Sequence, residues 1–440
     1  MEIGLPNTTK KRVLIIGAGF GGIQLAKELK NSPFQVVLID KNNFHCFQPL
    51  MYQVATSRLD AESVIHPIRN IFRKQKNFCF RMAEIQEIVP GENKIRFGKR
   101  VITYDYLVVA TGAKTNFRKN EGLIVSAMPM KSINEALELR SLILQNFENA
   151  LLINNERKRQ GLLNFVIAGA GPTGVELAGA IGELKQKVLP KDYPSIDFTK
   201  MNIYLVQSRE RVLPALSEKS SKAVKTYLER LGVTIVFNTR VLDFFGDYVT
   251  TSKDDIIART LIWTAGVEGA PLPGLNKDCS APGNRIATNE YNKVVGYQNI
   301  FAIGDVAAII NEETPRGHPM VAPVAMQQAQ LLAKNLVAIN KGLTTKAFRY
   351  KNKGSMATVG KNKAVVEIGK IHLKGTFAWV VWMIVHLMSL VGFTSKFIAL
   401  FHWVRDYFSN DRSMRTILTP FVLADAKRKR RQKIQDEIEH

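Results

Sequence analysis

Short apolar runs, each followed by a glycine-rich turn and an amphipathic stretch, recur along this chain. Residues 13–16 form an uninterrupted apolar run, and 163–168 form an apolar run broken only by Asn164. Each leads through glycines into a helical pattern, at 23–29 and 175–184. Such runs are typical of strands that are buried on both faces of a parallel sheet. Further short apolar runs at 35–39, 104–109, 201–206 and 299–303 predict additional strands. The alternation predicts an α/β fold with helices packed on parallel sheets.

The first glycine-rich turn has the spacing of a dinucleotide-binding loop. Gly17, Gly19 and Gly22 form GxGxxG, in which the glycines allow a tight turn, close approach of a pyrophosphate and close helix–strand packing. Asp40 ends the next predicted strand about twenty residues later, where an acid can bind ribose hydroxyls. A glycine-rich turn that binds nothing is the alternative. The complete strand–loop–helix–strand context favours a bound dinucleotide.

The second turn repeats this pattern. Gly169, Gly171 and Gly174 follow a second apolar strand and open a second helix. One chain with two such loops is expected to bind two dinucleotides, and this indicates electron transfer between them.

Two smaller motifs carry a resemblance. One predicted strand ends in Ala110-Thr111-Gly112, and a later one ends in Gly304-Asp305. Together with the two loops they resemble the disulfide-reductase-like flavoproteins, which bind two dinucleotides. The resemblance implies FAD at the first loop, with Asp305 on its ribityl chain, and NAD(P)H at the second. It also implies two Rossmann-like dinucleotide-binding domains, with the FAD domain split by the NAD(P)H domain. The FAD domain would comprise 1–155 and 281–345, the NAD(P)H domain 156–280, and a helical membrane-association region 346–440.

The cysteines narrow the choice within that class. Cys46, Cys79 and Cys279 are isolated, so the sequence offers neither a redox pair nor a zinc spacing, and no metal site is expected. Isolated cysteines also fit a reducing compartment. Electrons must therefore pass from the flavin directly to an external acceptor, and sulfide-oxidising relatives, which need paired cysteines, are disfavoured.

Three longer segments, 43–55, 261–267 and 321–328, closely resemble type II NADH dehydrogenases, and the likeness runs from about 11 to about 420. It implies a single-subunit, non-pumping NADH:quinone oxidoreductase of the respiratory chain, with FAD as its only redox cofactor, and homodimerisation through the C-terminal region. Motifs and resemblance together assign to FAD the residues Gly17, Gly19, Phe20, Gly21, Gly22, Asp40, Lys41, Gln53, Thr111, Gly112, Gly304, Asp305, Pro323, Val324 and Ala325. They assign to NAD(P)H the residues Gly169, Gly171, Pro172, Thr173, Gly174, Glu176, Gln207, Ala265 and Gly266.

Two side chains are candidates for catalysis. Glu176 is expected in the first turn of the second loop's helix, where it either complements the helix dipole or, as the resemblance implies, approaches the nicotinamide and the quinone channel. Gln327 matches the second glutamine of the family's AQxAxQ pattern, which lines the quinone pocket. Pro323 stands where that pattern has its first glutamine, so that contact does not carry over.

The end of the predicted strand at 201–206 bears on coenzyme choice. An acid there would repel the 2′-phosphate of NADPH, but this chain has Gln207, with Arg209 close by. The sequence therefore predicts that NADPH is accepted alongside NADH.

Charge and an apolar segment predict the location of the protein. A net charge of +23 indicates an anionic partner, and residues 375–395 carry no charge. Lysines flank that segment and a basic run follows at 427–433, so a single span would oppose the positive-inside bias. We expect the segment to lie in the interface of an anionic membrane, with Trp379 and Trp382 near the headgroups. No export signal is evident, so we expect the catalytic body on the cytoplasmic face. Nucleic acid is not the expected anionic partner, because no reader motif accompanies the charge.

Two other functions remain open at this point. A flavin-dependent reductase of a soluble acidic carrier such as ferredoxin would suit the positive charge, but it leaves the apolar segment unexplained. A redox-sensing binding protein would use FAD and NADH for signalling without turnover.

Overall fold

The structure, a computed structural model, describes residues 4–6, 8–409, 414–417 and 421, and the basic run at 427–433 lies outside them. The α-helices are α1 Phe20–Glu28, α2 Met51–Ala55, α3 Ile68–Ile71, α4 Glu121–Ser126, α5 Ile133–Leu152, α6 Glu156–Leu163, α7 Pro172–Lys187, α8 Leu189–Asp192, α9 Glu218–Arg230, α10 Ala322–Asn340, α11 Gly375–Ser389 and α12 Phe393–Ser409. Short 3₁₀ helices lie at Gln48–Leu50, Pro90–Glu92, Phe198–Lys200, Lys277–Cys279 and Gly304–Val306.

The strands are β1 Arg12–Ile16, β2 Gln35–Asp40, β3 Phe44–Cys46, β4 Ile65–Pro67, β5 Phe78–Met82, β6 Glu87–Val89, β7 Lys94–Phe97, β8 Arg100–Thr103, β9 Tyr106–Val109, β10 Ala113–Thr115, β11 Met128–Pro129, β12 Asn164–Ala168, β13 Asn202–Val206, β14 Val233–Val236, β15 Val241–Phe245, β16 Tyr248–Thr251, β17 Ile256–Ile257, β18 Thr260–Trp263, β19 Val267–Gly269, β20 Ser280–Ala281, β21 Arg285–Thr288, β22 Ile300–Ala302, β23 Ala307–Ile309, β24 Ser355–Thr358, β25 Ala364–Ile368 and β26 Ile371–Lys374.

The first compact unit comprises Met1–Cys46, His66–Lys114 and Val267–Lys353. Its central sheet has the order β22-β9-β1-β2-β5, and all neighbouring strands are parallel. Val13 and Ile15 of β1 belong to one buried cluster with α1 and α10, whereas Leu14 and Ile16 belong to another with the antiparallel β6-β7-β8 layer. The strand is thus buried on both faces, as its uninterrupted apolar run predicts.

The second compact unit comprises Phe47–Ile65, Thr115–Gly266 and Gly354–His440. Its parallel sheet has the order β11-β18-β12-β13-β14, with the fully buried β12 at its centre. An antiparallel β15-β16-β17 layer contributes Phe244 and Val249 to the core on one face. The two units therefore repeat one design, and the predicted fold class of two Rossmann-like domains with a helical C-terminal region is confirmed.

The C-terminal part of the second unit differs from the expected single apolar element. After the antiparallel β24-β25-β26 sheet, α11 ends at Ser389, and α12 begins only at Phe393. Gly392 lies between them with a φ of 86°, a left-handed conformation that favours glycine and reverses the chain. The uncharged segment 375–395 is consequently divided between two helices. Among the helices that the structure describes, none is long and apolar enough to cross a membrane.

Candidate functional site

The first glycine-rich loop has the geometry of a phosphate cradle. Gly17 has a φ of 106°, and a Cβ at Gly22 would collide with the carbonyl oxygen of Gly17, so both positions require glycine. A Cβ at Gly19, by contrast, would meet no described atom within 4 Å. The space at the middle glycine is therefore open to a ligand. α1 begins directly after it, without a side-chain cap or an acid in its first turn among the described residues.

The second loop repeats each of these features. Gly169 has a φ of 100°, a Cβ at Gly174 would collide with the carbonyl oxygen of Gly169, and the Cβ position of Gly171 is open with respect to the described residues. α7 starts at Pro172, where the missing N–H costs no helical hydrogen bond. In both cradles, the N–H groups of the first helical turn and the positive end of the helix dipole fit a dinucleotide pyrophosphate.

Each cradle is closed from the side by the segment after a neighbouring strand. A Cβ at Gly17 would lie 2.7 Å from the carbonyl carbon of Ala110 and 3.1 Å from the nitrogen of Thr111. A Cβ at Gly169 would lie 2.7 Å from the Cα of Ala265. The Ala-Thr-Gly motif at 110–112 and the Thr-Ala-Gly motif at 264–266 thus occupy equivalent places, each beside the first glycine of its loop.

Asp40 and His45 hold the first loop. The carboxylate of Asp40 accepts hydrogen bonds from the N–H groups of Ala18 (2.6 Å) and Asn42 (2.7 Å). Burial raises the pKa of Asp40, although these two N–H groups oppose the shift. His45 Nδ1 lies 2.9 Å from the oxygen of Ala18, and burial lowers the pKa of the ring to about 4, so the neutral ring donates there. Sequence reasoning did not single out His45, although it lies within the 43–55 segment.

The remaining candidates near the first loop take different positions. Phe20 packs edge-on against the His45 ring, with centroids 5.2 Å apart, and Lys41 is exposed. A Cβ at Gly21 would meet Ile303 at 3.3 Å and Ala325 at 3.6 Å, so this glycine lets α1 pack closely against α10. Thr111 donates to the carbonyl oxygen of Ala270 (2.7 Å), which fixes the turn before Gly112.

The start of α10 is tied to the Gly304-Asp305 turn. Pro323 lies in the first turn of the helix, and Val324 and Ala325 are buried. The side chain of Gln328, which is 1% exposed, accepts a hydrogen bond from the Gly304 N–H (2.7 Å). The second glutamine of the Gln327-Gln328 pair, rather than the first, therefore positions this turn. Gln328 could have been identified from the sequence, because it lies in the 321–328 segment that resembles the family.

Gln327 has a different partner. Its amide donates to the carbonyl oxygen of Lys351 and accepts from the Lys351 N–H, both at 3.0 Å. The side chain is thus held by backbone groups in the first unit.

Glu176 lies deeper in its helix than the sequence suggested. Because α7 begins at Pro172, no acid falls in its first turn, and the expected first-turn position of Glu176 is wrong. Glu176 is 8% exposed, and burial raises the pKa of its carboxyl to about 8, against smaller opposing effects of the Thr358 backbone and the Trp382 indole. Dipole complementation fades beyond the first turn, so the burial of this carboxyl needs another explanation. The pKa makes it a protonated acid at neutral pH.

Gln53 and its neighbours form one wall of a small cavity in the second unit. Its amide donates to the Tyr52 hydroxyl (3.0 Å) and accepts from the Trp403 indole N–H (2.8 Å). The cavity has a volume of about 20 Å³, and its lining includes Gln53, Thr358, Trp379, Trp382 and Trp403. The expectation that Trp382 lies at lipid headgroups is wrong, because its side chain is only 2% exposed and turns into the protein.

A buried ionic network adjoins this cavity. Arg58 pairs with Glu183 of α7 (2.9 Å) and with Asp406 of α12 (2.7 Å). Burial alone would lower the pKa of Arg58, but the two carboxylates outweigh it and raise the pKa. Lys361 completes the arrangement, since its N–H donates to Glu183 and its Nζ lies 2.5 Å from the carbonyl oxygen of Tyr407. Sequence reasoning missed this network, which fixes the buried face of α12.

At the end of β13, Gln207 is engaged locally. Its amide donates to the carbonyl oxygen of Arg211 (3.2 Å) and accepts from the Ser208 N–H (3.1 Å). Arg209 is exposed and lines, with Arg211 and Asn238, an open cleft of about 400 Å³.

Comparisons with known proteins agree with this geometry. The pyridine nucleotide-disulphide oxidoreductase family profile matches residues 11–329, and the NDH2 C-terminal domain profile matches residues 352–410. The type II NADH:quinone oxidoreductase Ndh of Mycobacterium tuberculosis is 35% identical over 428 residues, which cover 93% of this chain and 90% of that protein. The chain belongs to the type II NADH:quinone oxidoreductase family. The resemblance inferred from the sequence motifs is confirmed.

Other members of the family and solved structures are also similar. The type II NADH:quinone oxidoreductase of Staphylococcus aureus is 31% identical over 366 residues, covering 81% of this chain and 89% of that protein. The structure of NDH2 from Plasmodium falciparum in complex with NADH has a TM-score of 0.85 at 22% identity and covers 93% of this chain and all of that one. The sulfide:quinone oxidoreductase of Aquifex aeolicus has a TM-score of 0.72 at 21% identity, covering 91% of this chain and 96% of that one. These structural likenesses concern the fold.

Proposed function

We propose that this type II oxidoreductase passes the electrons of NADH through FAD to a lipid-soluble quinone, as one subunit and without pumping protons. The observation that carries the proposal is the match, over nine tenths of the chain, to a family named for NADH and quinone. The two open cradles support it, because they fit two dinucleotides. A reductase of a soluble carrier is not favoured, because that full-length relative is a quinone reductase.

The proposed roles follow from the cradles. FAD would be held at the first by Gly17, Gly19, Gly22, Asp40 and the Gly304-Asp305 turn, and NADH at the second by Gly169, Gly171 and Gly174. Bound FAD would supply a two-electron acceptor for the hydride of NADH. The protein's own work is orientation: the helix N-termini bind the pyrophosphates, and Gln328 fixes the turn at the start of α10. The positive end of α10 would stabilise negative charge by about 0.3–2 kcal/mol.

The remaining sequence assignments stay proposals. They assign Thr111, Gly112 and Gln53 to FAD, and Ala265 and Gly266 to NAD(P)H. The division of the chain at 155, 280 and 345, homodimerisation, and a quinone contact by Gln327 also stay predictions.

Glu176 is the proposed acid for quinone reduction. Quinone takes up two protons with two electrons, and a general acid should hold its proton near the working pH. A buried carboxyl with a pKa of about 8 meets that requirement. The Tyr52 phenol is a neighbouring titratable group, and the Glu176 charge helps to raise its pKa well above the ordinary value, second to burial.

The outer faces of α11 and α12 support the proposed peripheral association with a membrane, and its cytoplasmic face stays a prediction from the sequence. Exposed apolar side chains recur at helical spacing on both helices: Phe377, Ile384 and Met388 on α11, and Phe397, Phe401, Val404 and Phe408 on α12. The opposite face of α12 carries His402, Trp403 and Asp406, which are buried. A helix with one face anchored in protein and one apolar face exposed fits an in-plane position at the lipid interface.

Stopped-flow spectroscopy tests the proposed function. Enzyme reduced with NADH is mixed with decylubiquinone, with menadione or with a ferredoxin, and flavin absorbance is followed. Rapid reoxidation by a quinone but not by ferredoxin is the expected result. Reoxidation by ferredoxin alone would establish the carrier reductase, and reoxidation by none of them would establish the sensor.

A further inference from the structure

Arg285 of β21 is a buried cation of the first unit that lies outside the sequence motifs. Only 5% of its surface is exposed. Its Nη1 donates to the carbonyl oxygens of Arg316 (3.2 Å) and His318 (3.0 Å), and its Nη2 donates to that of Ala307. Burying a guanidinium is costly unless hydrogen bonds and opposite charge compensate it. A charge at this position therefore needs a reason beyond filling the core.

The carbonyl groups that Arg285 binds lie at the two ends of one loop. Ala307 begins β23, directly after the short helix Gly304–Val306. Arg316 and His318 lie at the other end of the loop, shortly before α10 begins at Ala322. The guanidinium thus closes the loop at its base. In this way it fixes the turn that precedes β23 relative to the start of α10.

The loop packs tightly against the guanidinium. Gly317 has a φ of 71°, and a Cβ there would lie 2.9 Å from Arg285 Nη1 and 3.0 Å from the Cβ of Ala308. The left-handed backbone and these short distances both require glycine. The loop therefore approaches the guanidinium more closely than a residue with a side chain would allow, as expected of a contact that fixes the position of the loop.

Electrostatics link Arg285 to the first cradle. Burial lowers the pKa of Arg285, and the carboxylate of Asp305 opposes that shift. The charge of Arg285 in turn lowers the pKa of His318, although burial of the imidazole is the larger cause. A carboxylate near the anionic pyrophosphate of FAD would repel it unless a cation offsets its charge. Arg285 supplies such a cation from the protein interior.

We infer that Arg285 is a positioning residue for FAD, which holds the Gly304-Asp305 turn against the start of α10 and offsets the charge of Asp305. The inference rests on the proposed FAD site at the first cradle, and Arg285 acts through the turn rather than on FAD itself. Gln328 of α10 accepts from the Gly304 N–H and holds the same turn. Two side chains thus fix the turn before FAD binds, and such preorganisation lowers the cost of binding.

Arg285→Gln tests the inference, because it removes the charge and shortens the side chain. Release of FAD from the holoenzyme is followed by flavin fluorescence after dilution, well below the temperature of unfolding. We expect release to be about tenfold faster, since charge-assisted hydrogen bonds that fix the turn are lost. The visible circular dichroism of the bound flavin should change as well, because the turn beside it is displaced.

Arg12→Gln is the matched control in the same unit. Arg12 also makes side-chain hydrogen bonds, to Gln35 (2.8 Å) and to the carbonyl and hydroxyl oxygens of Thr103 (both 2.9 Å), but it lies at the start of β1, away from the glycine-rich loop. We expect this variant to unfold at a lower temperature and to release FAD at the wild-type rate. Equal acceleration in both arginine variants would reflect a general loss of stability and would overturn the inference. An unchanged rate in Arg285→Gln would also overturn it.

Gly317→Ala tests the same contact with Arg285 in place. The added Cβ would press on the guanidinium, so FAD release should be faster than in Gly342→Ala. Gly342 is the control because its φ is 68° and a Cβ there would meet no described atom within 4 Å, so it adds similar backbone strain without the contact. If Arg285→Gln does not fold, this pair decides, and equal release rates would overturn the inference.

Asp305→Asn separates failure of the inference from failure of the proposed site. If the turn belongs to the FAD site, this variant should release FAD faster than the wild-type enzyme. A wild-type rate in Asp305→Asn would mean that the proposed FAD site is wrong. Faster release in Asp305→Asn, together with a wild-type rate in Arg285→Gln, would overturn the role of Arg285 alone.

Discussion

Glu176 illustrates at the scale of one residue how burial sets chemistry. Its carboxyl has the same intrinsic acidity as any glutamate, but the interior disfavours the charged form, and its pKa rises to about 8. Exposed Glu218 shows the opposite behaviour, because Lys222 lowers the pKa of its carboxyl through a hydrogen bond. The pair makes Glu218 a suitable control for experiments on Glu176.

We expect Glu176→Gln to stabilise the holoenzyme in a pH-dependent way. The unfolded chain releases this proton near pH 4.5, whereas the folded protein holds it to a pH of about 8, so the native state loses stability as pH rises between these values. Glutamine has no proton to lose. Its advantage in the free energy of unfolding should be absent below about pH 4, grow through this window and level off above it at up to a few kcal/mol. Denaturation across pH checks this, and Glu218→Gln should show no such gain. A constant difference at all pH values would contradict the assignment.

The same substitution should change the quinone reaction. In the wild-type enzyme, reoxidation by quinone should slow as pH rises through about 8, since the acid then loses its proton. In Glu176→Gln it should be slower by about 100-fold and should lack that pH dependence. Stopped-flow reoxidation across pH measures both. If the reoxidation rate of Glu176→Gln still fell as pH rises through about 8, Glu176 would not be the group that causes this pH dependence.

Arg209 is the residue on which NADPH use should depend. It is exposed at the cleft beside β13, where a 2′-phosphate could pair with its guanidinium. We expect Arg209→Gln to lower the ratio of kcat/KM for NADPH to that for NADH by about tenfold, because a charge-assisted hydrogen bond is lost. Arg240→Gln is the control, since Arg240 is exposed but does not line the cleft. An unchanged ratio in Arg209→Gln, or a strict preference of the wild-type enzyme for NADH, would refute the prediction.

At the scale of secondary structure, short-range patterns were the predictable part. The strand predicted at 13–16 is Arg12–Ile16, and the helical pattern at 23–29 corresponds to Phe20–Glu28. These elements follow from apolar runs and glycine spacing, both of which act within a few residues. The position of Glu176 was misjudged because its helix starts earlier, at Pro172.

What the sequence could not supply was the pairing of distant side chains. His402 Nε2 lies 3.2 Å from Asp60 Oδ2, although the two residues are 342 positions apart in the sequence. The Trp403 indole donates to Gln53, which is 350 positions earlier. Periodicity shows that α12 has two faces, but it does not say which face the protein covers. The inward turn of Trp382 has the same origin, because an apolar run of nearly uniform hydropathy marks no side as outer.

The outer face of α12 gives a prediction at this scale. Phe408 is 80% exposed, and burying a phenylalanine in lipid contributes about 1.5–3 kcal/mol. We expect Phe408→Glu to weaken binding to phospholipid vesicles by tenfold or more, measured by co-flotation. Leu152→Glu is a matched control, because Leu152 is also 80% exposed but ends α5. Equal losses in the two variants would mean that charge alone, and not the α12 face, controls binding.

At the scale of the whole molecule, charge and apolar surface act over different ranges. The chain carries 61 Lys and Arg against 38 Asp and Glu, a net charge of +23. Such a charge attracts an anionic surface over about a Debye length, roughly 10 Å at 0.1 M salt, whereas apolar side chains act only on contact. The first should govern the rate of arrival at the membrane and the second the residence time.

Salt separates these two contributions. We expect binding to vesicles rich in phosphatidylserine to fall steeply as ionic strength rises from about 0.01 to about 0.5 M, because the Debye length shrinks from about 30 Å to a few ångströms. Binding to zwitterionic phosphatidylcholine vesicles should be weaker at low salt and nearly independent of it, since only the apolar faces of α11 and α12 contribute there. Stopped-flow association should show the salt effect mainly in the on-rate. Salt-independent binding to the anionic vesicles would mean that the membrane is not the anionic partner that the net charge indicates. A soluble acidic carrier would then be the remaining candidate, and its reduction would be tested at the same ionic strengths.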